Sequence, residues 1–312
     1  MLAGEESTQG KRSYTQKLRD ICENICISSG MYEVYTYSFT SPGIFNKLGL
    51  ATDSPLRKTV VIRRPLGEDY SVMRTTTLPE MMKVISHNSN RNIDKAAFYE
   101  MSFTYHPVED SELLDEKVWL TMGMYGGTDF FDMKGVTETI TEELGINNVE
   151  YIPVSDNPVY HPGRCADVVV NGDNIGTIGQ VNPTISKEFE VPEDTILGTL
   201  SMNKLYELAD FDRKYKELPK YPAVTRDIAV LVDDEVTAGS LIAIIEGSAG
   251  AYLEKVEFFD VYKGSQTGKG KKSLAFSMVY RSAEKTLTED EVNASFEIVV
   301  KKLAENAGAE LR

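Results

Sequence analysis

With 312 residues the chain is long enough for two domains that each bury a core, and 41% hydrophobic with 26% charged residues is the composition of a globular protein rather than a disordered or fibrous one. No stretch approaches 18 uninterrupted apolar residues, the leading MLAGEESTQGKRS lacks the apolar centre of a signal peptide, and three cysteines form no paired framework. A membrane span, secretion and a disulfide scaffold are therefore disfavoured, and the cytoplasm is the expected compartment. The net charge of −15 excludes a uniformly basic nucleic-acid surface; yet residues 220–312 hold 12 basic against 15 acidic residues, so most of the excess acid lies earlier in the chain.

In chain order, residues 14–29 place Leu18, Ile21, Cys22, Ile25 and Cys26 at helical spacing, an amphipathic helix ending near Gly30. Tyr35, Tyr37 and Phe39 alternate with polar residues and predict a strand, and a further apolar run covers Thr59 to Ile62. A helix follows around Leu78 to Asn88, then strands at Phe98 to Tyr105, Val118 to Tyr125 and Ile152 to Val154, with a helix around Val136 to Leu144 between the last two. Ala166 to Gln180 contains Asn171-Gly172 between β-branched runs, the pattern of a tight hairpin. Residues up to about 210 therefore read as mixed α and β with antiparallel pairing, not as a βαβ repeat.

A charged stretch from Asp210 to Lys220, ending in Pro219 and Pro222, separates this region from a second pattern. Strand 226–232, helix 236–246, strands 254–262 and 272–281, a helix opened by the capping box Thr288-x-x-Glu291 and a short last strand at 310–312 give the order βαββαβ, the ferredoxin-like split motif. The expected division is 1–212, a linker at 213–218, and 219–312.

Several motifs fail. Gly264 to Gly270 has one residue too few for a phosphate-binding Walker loop and no Ser or Thr for magnesium. Gly172, Gly176 and Gly179 lie in a hairpin, not at a strand-to-helix turn, so no dinucleotide fingerprint is present. Cys22 and Cys26 share a helix face without a third ligand, and His161-Pro162-Gly163-Arg164 reads as a rigid turn. Nothing assembles a nucleophile, a base and an oxyanion site, so no catalytic residue and no metal ligand is assigned.

The last third offers a binding face. Strict alternation puts Val256, Phe258, Asp260 and Tyr262 on one face of the strand 254–262 and Glu257, Phe259 and Val261 on the other. In the strand 272–281, Leu274, Phe276, Met278 and Tyr280 form the apolar face, and Ser273, Ala275 and Ser277 leave the other face open. If Tyr262 lies on that open face it is a stacking plane for an unpaired base, with Asp260 able to accept from the N1 and N2 donors of guanine and Ser273 adding a hydroxyl. Lys263 and Lys272 adjoin it and would meet phosphates. The plain alternative is an aromatic cap on a core beside a solvated lysine loop.

Tyr221-Pro222 with Arg226-Asp227, Phe259-Asp260-Val261-Tyr262, Lys272-Ser273-Leu274-Ala275, Arg281, Thr286-Leu287-Thr288 with Glu291, and Leu311-Arg312 together resemble the ferredoxin-fold anticodon-binding domain of bacterial phenylalanine–tRNA ligase β chains. Upstream, Glu33-Val34 with Tyr37-Ser38-Phe39, Asn88 to Arg91, Phe98-Tyr99-Glu100, and His161 to Arg164 with Ile178-Gly179 are similar to the same family, from about residue 14 onwards. The resemblance implies an α+β chain: a class II synthetase-like antiparallel sheet with helices, without catalysis, followed by the βαββαβ domain. It implies a C-terminal part of such a β chain, because the family's N-terminal editing and tRNA-binding modules have no counterpart here.

The sequence agrees with lost catalysis, having no Arg-x-Glu triplet; Arg74 and Glu100 are present but not at that spacing. The partners implied are the catalytic α subunit, in a heterotetramer of two α and two β chains, and tRNA(Phe), with no membrane and no DNA. ATP and Mg2+ belong to the holoenzyme and not to this chain. By position Asp260, Tyr262 and Ser273 match residues that meet the first anticodon base in relatives, and the α-subunit interface is expected on the first helix at Leu18 and Ile25. Two alternatives stay open, a stand-alone tRNA- or RNA-binding protein built from the same modules and a synthetase-like enzyme with a variant site.

Overall fold

The computed structural model describes residues 10–215, 217–264 and 267–312 and divides into two compact units, Met1–Arg213 and Lys214–Arg312. The Ser265-Gln266 part of the glycine-rich connection and residues 1–9 of the leader lie outside the described residues.

In unit 1, α1 (Tyr14–Ser28) opens on a capping box in which Ser13 and Gln16 satisfy each other's backbone N–H groups. Then come β1 (Tyr32–Glu33), β2 (Phe39–Thr40), α2 (Ile44–Lys47), β3 (Val72–Met73), α3 (Leu78–Ser89), β4 (Ala96–His106) and β5 (Asp115–Tyr125). They are followed by α4 (Phe130–Glu143), β6 (Val149–Pro153), β7 (Tyr160–Val170), β8 (Asp173–Val181), α5 (Pro183–Phe189), β9 (Ile196–Ser201) and α6 (Met202–Leu208). Seven strands form one sheet in the order β1-β4-β5-β9-β8-β7-β6, antiparallel except for the parallel edge pair β1–β4.

Both faces of this sheet are covered. One core joins Leu18, Cys22, Ile25 and Cys26 of α1 and Met133 and Ile140 of α4 to Tyr99, Leu120, Met122 and Leu200. The other joins Met81, Met82 and Ile85 of α3 and Ile185 and Phe189 of α5 to Phe98, Tyr125 and Leu197. Gly123 lets α3 approach: a Cβ there would stand 2.8 Å from Met81 Cγ. The β7–β8 hairpin turns at Asn171 and Gly172 with φ of 51° and 86°, the left-handed pair that the dipeptide predicts.

Several expected elements differ. Of the alternation Tyr35, Tyr37, Phe39 only Phe39 enters a strand, the short β2; before it the Thr36 N–H is taken by the Glu100 side chain instead of a neighbouring strand. The Thr59–Ile62 run contributes only the isolated bridge Val61–Val72. Helix α4 starts six residues before Val136, because Asp129 and Asp132 form a capping box built from two aspartates. The His161-Pro162-Gly163-Arg164 turn sits inside β7, where the pairing with β8 is interrupted between Tyr160 and Cys165.

In unit 2, β10 (Val224–Asp233), α7 (Ala238–Ser248), β11 (Leu253–Tyr262), β12 (Lys271–Tyr280), α8 (Glu289–Ala307) and β13 (Glu310–Leu311) follow in the expected βαββαβ order. The Thr288–Glu291 capping box is formed, and α8 closes on Gly308 at φ 59°. The four strands pair β11-β12-β10-β13. One face of the sheet packs Ile228, Val230, Leu274, Phe276, Met278 and Tyr280 against Leu241, Ile245, Val299 and Leu303 of the two helices. The other face carries no helix among the described residues.

Candidate nucleic-acid interface

The uncovered face of the unit 2 sheet is set by register. Residues paired directly across an antiparallel ladder share a face. Phe258 pairs with Phe276 and Val256 with Met278, so both belong to the core side, where the Phe258 and Phe276 rings lie 5.6 Å apart. A register shift then falls between Phe258 and Asp260, leaving Phe259 unpaired. Beyond it Asp260 pairs with Ala275, Val261 with Leu274 and Tyr262 with Ser273.

This bulge corrects the strict alternation. Val256 and Phe258 do not share a face with Asp260 and Tyr262; one extra residue resets the period, and only Asp260 and Tyr262 stand on the open side with Ser273 and Ala275. Across β12, Ala229 faces Ala275 and Leu231 faces Ser273, so the open face continues onto β10 with one small and one apolar side chain.

Tyr262 is 39% exposed and Asp260 is exposed, whereas Ser273 is only 4% exposed. Ser273 thus belongs to the floor of the platform and presents almost no surface to a ligand in this conformation. The ring of Tyr262 has the Arg312 guanidinium 5.0 Å from its centroid. At the hydroxyl end a Cβ on Gly264 would stand 2.6 Å from Tyr262 Oη, so a side chain at that position would displace the ring.

The two lysines expected to meet phosphates converge on one acid. Lys263 Nζ lies 2.6 Å from Asp234 Oδ2, and Lys272 Nζ donates to the Asp234 carbonyl at 2.8 Å. Lys271 pairs with Glu310 at 2.8 Å. With Lys263 64% exposed, its pair belongs to the class worth about 0–1 kcal/mol, weak enough for a phosphate to displace the carboxylate.

The expected interface on α1 is not supported. Leu18 is fully buried and Ile25 nearly so, both within the core between α1 and the sheet of their own unit. The apolar stripe of an amphipathic helix shows that something covers it; here the cover is intramolecular. Cys22 and Cys26 lie in the same core, and burial, reinforced by Glu23, pushes the Cys22 thiol up to about 12, with burial doing the same for Cys26. Both thiols therefore stay protonated at neutral pH.

Arg74 and Glu100 are not free for substrate either. Arg74 is 1% and Glu100 3% exposed, with Nη1 to Oε2 at 3.5 Å. Arg74 Nη1 donates to Thr36 Oγ1 at 2.7 Å and Nε to the Phe103 carbonyl at 2.8 Å, while the Thr36 N–H donates to Glu100 Oε1 at 2.8 Å. This network fixes the segment between β1 and β2 and leaves Tyr35 and Tyr37 facing solvent at 82% and 65% exposure. No local pattern signals this pairing, since 26 positions separate the two residues along the chain.

The phenylalanyl tRNA synthetase beta chain CLM domain model matches residues 2–202, and the ferredoxin-fold anticodon binding domain model matches residues 219–312. The chain belongs to the phenylalanyl tRNA synthetase beta chain family. Among its relatives, the phenylalanine–tRNA ligase beta subunit of Clostridium tetani is 43% identical over 307 residues, covering 98% of this chain and 39% of the relative. That of Clostridium acetobutylicum is 42% identical over 308 residues, with the same two shares, and that of Carboxydothermus hydrogenoformans is 37% identical over 302 residues, covering 93% and 38%. The chain therefore spans about two fifths of the length of these relatives. Among solved structures it is similar to pyrrolysyl-tRNA synthetase from Desulfitobacterium hafniense, with a TM-score of 0.52 over 62% of this chain and 68% of that one. At 16% identity this likeness shows a shared fold.

Proposed function

We propose that this chain works as part of a phenylalanine–tRNA ligase beta subunit, with unit 2 reading the anticodon loop of tRNA(Phe) in the cytoplasm and unit 1 serving assembly with the catalytic α subunit, in a complex of two α and two β chains. ATP and Mg2+ act in that holoenzyme on the α chain, and no chemical step is assigned to residues of this one. The observation that carries the reading is the bulge at Phe259, which sets Asp260 and Tyr262 on one sheet face, beside the small residues Ser273 and Ala275 of β12.

The chemistry follows from these two groups. An unpaired base stacked on Tyr262 gains about 1–3 kcal/mol. The Asp260 carboxylate beside it is acceptor-only when ionised, so it receives the N1–H and N2–H donors of guanine and repels adenine, whose N1 is itself an acceptor. Hydrogen bonds to a charged group are worth about 1.5–3 kcal/mol, which sets the scale of discrimination. Lys263, released from the Asp234 carboxylate, adds nonspecific attraction to the loop phosphates, whereas Lys272, paired with the core residue Val232, starts from the opposite face.

The test compares anticodon stem-loops carrying guanine or adenine at the first anticodon position. Wild-type chain is expected to prefer guanine, and Asp260→Asn to lose most of that preference while still binding; equal wild-type affinity for both loops would refute the assignment. Co-purification with an α subunit separates the β-chain reading from a stand-alone RNA-binding protein, which would bind the loop without that partner.

A further inference from the structure

We propose that Arg312 is a positioning residue for the stacking plane: its guanidinium holds the Tyr262 ring in place on the open face, so that a base meets an ordered surface instead of a freely rotating side chain. The proposal deepens the anticodon reading of unit 2 and rests on it for the identity of the ligand, but not for the contact itself.

Strands β11 and β13 lie at opposite edges of the four-stranded sheet, with β12 and β10 between them. Leu311 pairs with Val230, a core residue, and Glu310 with Leu231 on the open side. The Arg312 N–H continues this ladder by donating to the Ala229 carbonyl at 2.9 Å, and the alternation therefore sets Arg312 on the open face with Ala229, Leu231, Ser273 and Tyr262. Two long side chains anchored on opposite edges thus meet over the sheet, the guanidinium 5.0 Å from the ring centroid. Between their strands on that face stand Ser273 and Ala275 of β12 and Ala229 and Leu231 of β10.

At its other end the ring is bounded by Gly264, where any Cβ would approach the hydroxyl to 2.6 Å. Tyr262 thus has the guanidinium over its face and Gly264 close to its hydroxyl, and is still 39% exposed. A planar guanidinium is suited to the role because it stacks on an aromatic face while keeping its charge solvated, which an ammonium does less well. An ordered tyrosine also loses less rotamer freedom when a base stacks on it.

The experiment uses the whole chain with fluorine-labelled tyrosines, the Tyr262 resonance being identified by its loss in Tyr262→Phe. Arg312→Ala is expected to shift that resonance, with Arg312→Lys falling between it and wild type, and thermal unfolding is expected to be unchanged. For the guanine-bearing stem-loop, Arg312→Ala is expected to weaken binding roughly two- to fivefold, the range of an exposed cation–π contact, and to have no effect in a Tyr262→Ala background.

An unmoved fluorine resonance would overturn the proposal whatever the RNA does. Equal losses in both backgrounds would also overturn it, because Arg312 would then be touching RNA itself, and tighter binding would show a plug instead of a support. Should Arg312→Ala fail to fold, Gly264→Ala displaces the ring from the hydroxyl end with Arg312 intact, and is expected to weaken binding similarly; unchanged affinity there would count against an ordered ring. If Tyr262→Ala leaves RNA affinity untouched while the fluorine signal still answers to Arg312, the anticodon reading fails and the positioning contact stands.

Discussion

The two units use charge in opposite ways. In unit 1 the Arg74–Glu100 pair is sealed in the interior and bonds Thr36 and the Phe103 carbonyl. In unit 2 the Lys263–Asp234 pair and the Arg312–Tyr262 contact lie on the rim and top of an uncovered sheet. A buried pair exists to fix backbone, and removing either partner leaves a charge with nowhere to go. A surface pair is a weak, exchangeable hold, the kind a ligand phosphate can replace. The comparison predicts that unit 1 residues govern stability and unit 2 surface residues govern binding, with little crossover.

The strongest way to break that division is Glu100→Ala. It strands the Arg74 guanidinium and frees Thr36, and is expected to cost about 3–5 kcal/mol, read from denaturant unfolding by the fluorescence of Trp119, the single tryptophan, which lies in the same sheet. A loss below about 1 kcal/mol would mean that water already reaches the pair. Leu18→Ala comes next, at about 2–5 kcal/mol for a buried leucine truncated in a packed core. Were α1 instead covered by another subunit, the isolated chain would barely register that change.

Glu80 sharpens the comparison from inside unit 1. Its carboxyl is 4% exposed, and Oε2 has no hydrogen-bond partner among the described residues. Burial holds its pKa above the ordinary 4.5, against the opposing pull of Lys83 and Arg74. The folded chain therefore keeps this proton to higher pH than the unfolded chain does, and the stability contribution falls as pH rises from about 4.5 through the folded value. Glu80→Gln is expected to raise the Tm at pH 7, with the gain shrinking as the pH is lowered towards 4.5; a lower Tm at pH 7 would show that the ionised carboxylate is doing structural work.

The smallest effect is expected on the rim. Lys263→Ala is expected to change stability by no more than about 0.5 kcal/mol, and to reduce the slope of log affinity against log salt for the stem-loop by about 1. An unchanged slope would remove Lys263 from the list of phosphate contacts.

The pattern of βαββαβ and the Asn171-Gly172 hairpin were legible because their signals are local: alternation, a capping box and a left-handed turn pair. What escaped was decided by tertiary contact. Strand β9 does not read as one because Gly198 interrupts a short run, and that glycine is there so that Met133 of α4 can approach, a Cβ at 198 falling 2.9 Å from its sulfur. The segment at Tyr35 and Tyr37 alternates like a strand, yet its hydrogen bonds go to Glu100, 64 positions away along the chain from Thr36.

In the candidate site, Asp260 and Tyr262 were found by residue type and by resemblance, whereas their shared face depends on the bulge at Phe259, which no count of alternate positions contains. Nor did composition reveal that Lys263 and Lys272 converge on Asp234, that Ser273 lies beneath the surface, or that Arg312 reaches Tyr262 from the opposite edge. The stripe on α1 gave the right buried residues and the wrong occupant, since periodicity records that a face is covered without recording by what.

The most direct measurement is calorimetric titration of the wild-type chain and Tyr262→Ala with the guanine-bearing anticodon stem-loop. A loss of about 1–3 kcal/mol with unchanged folding is the predicted result. Identical affinity in the two proteins would mean that the ring on the open sheet face does not receive a base.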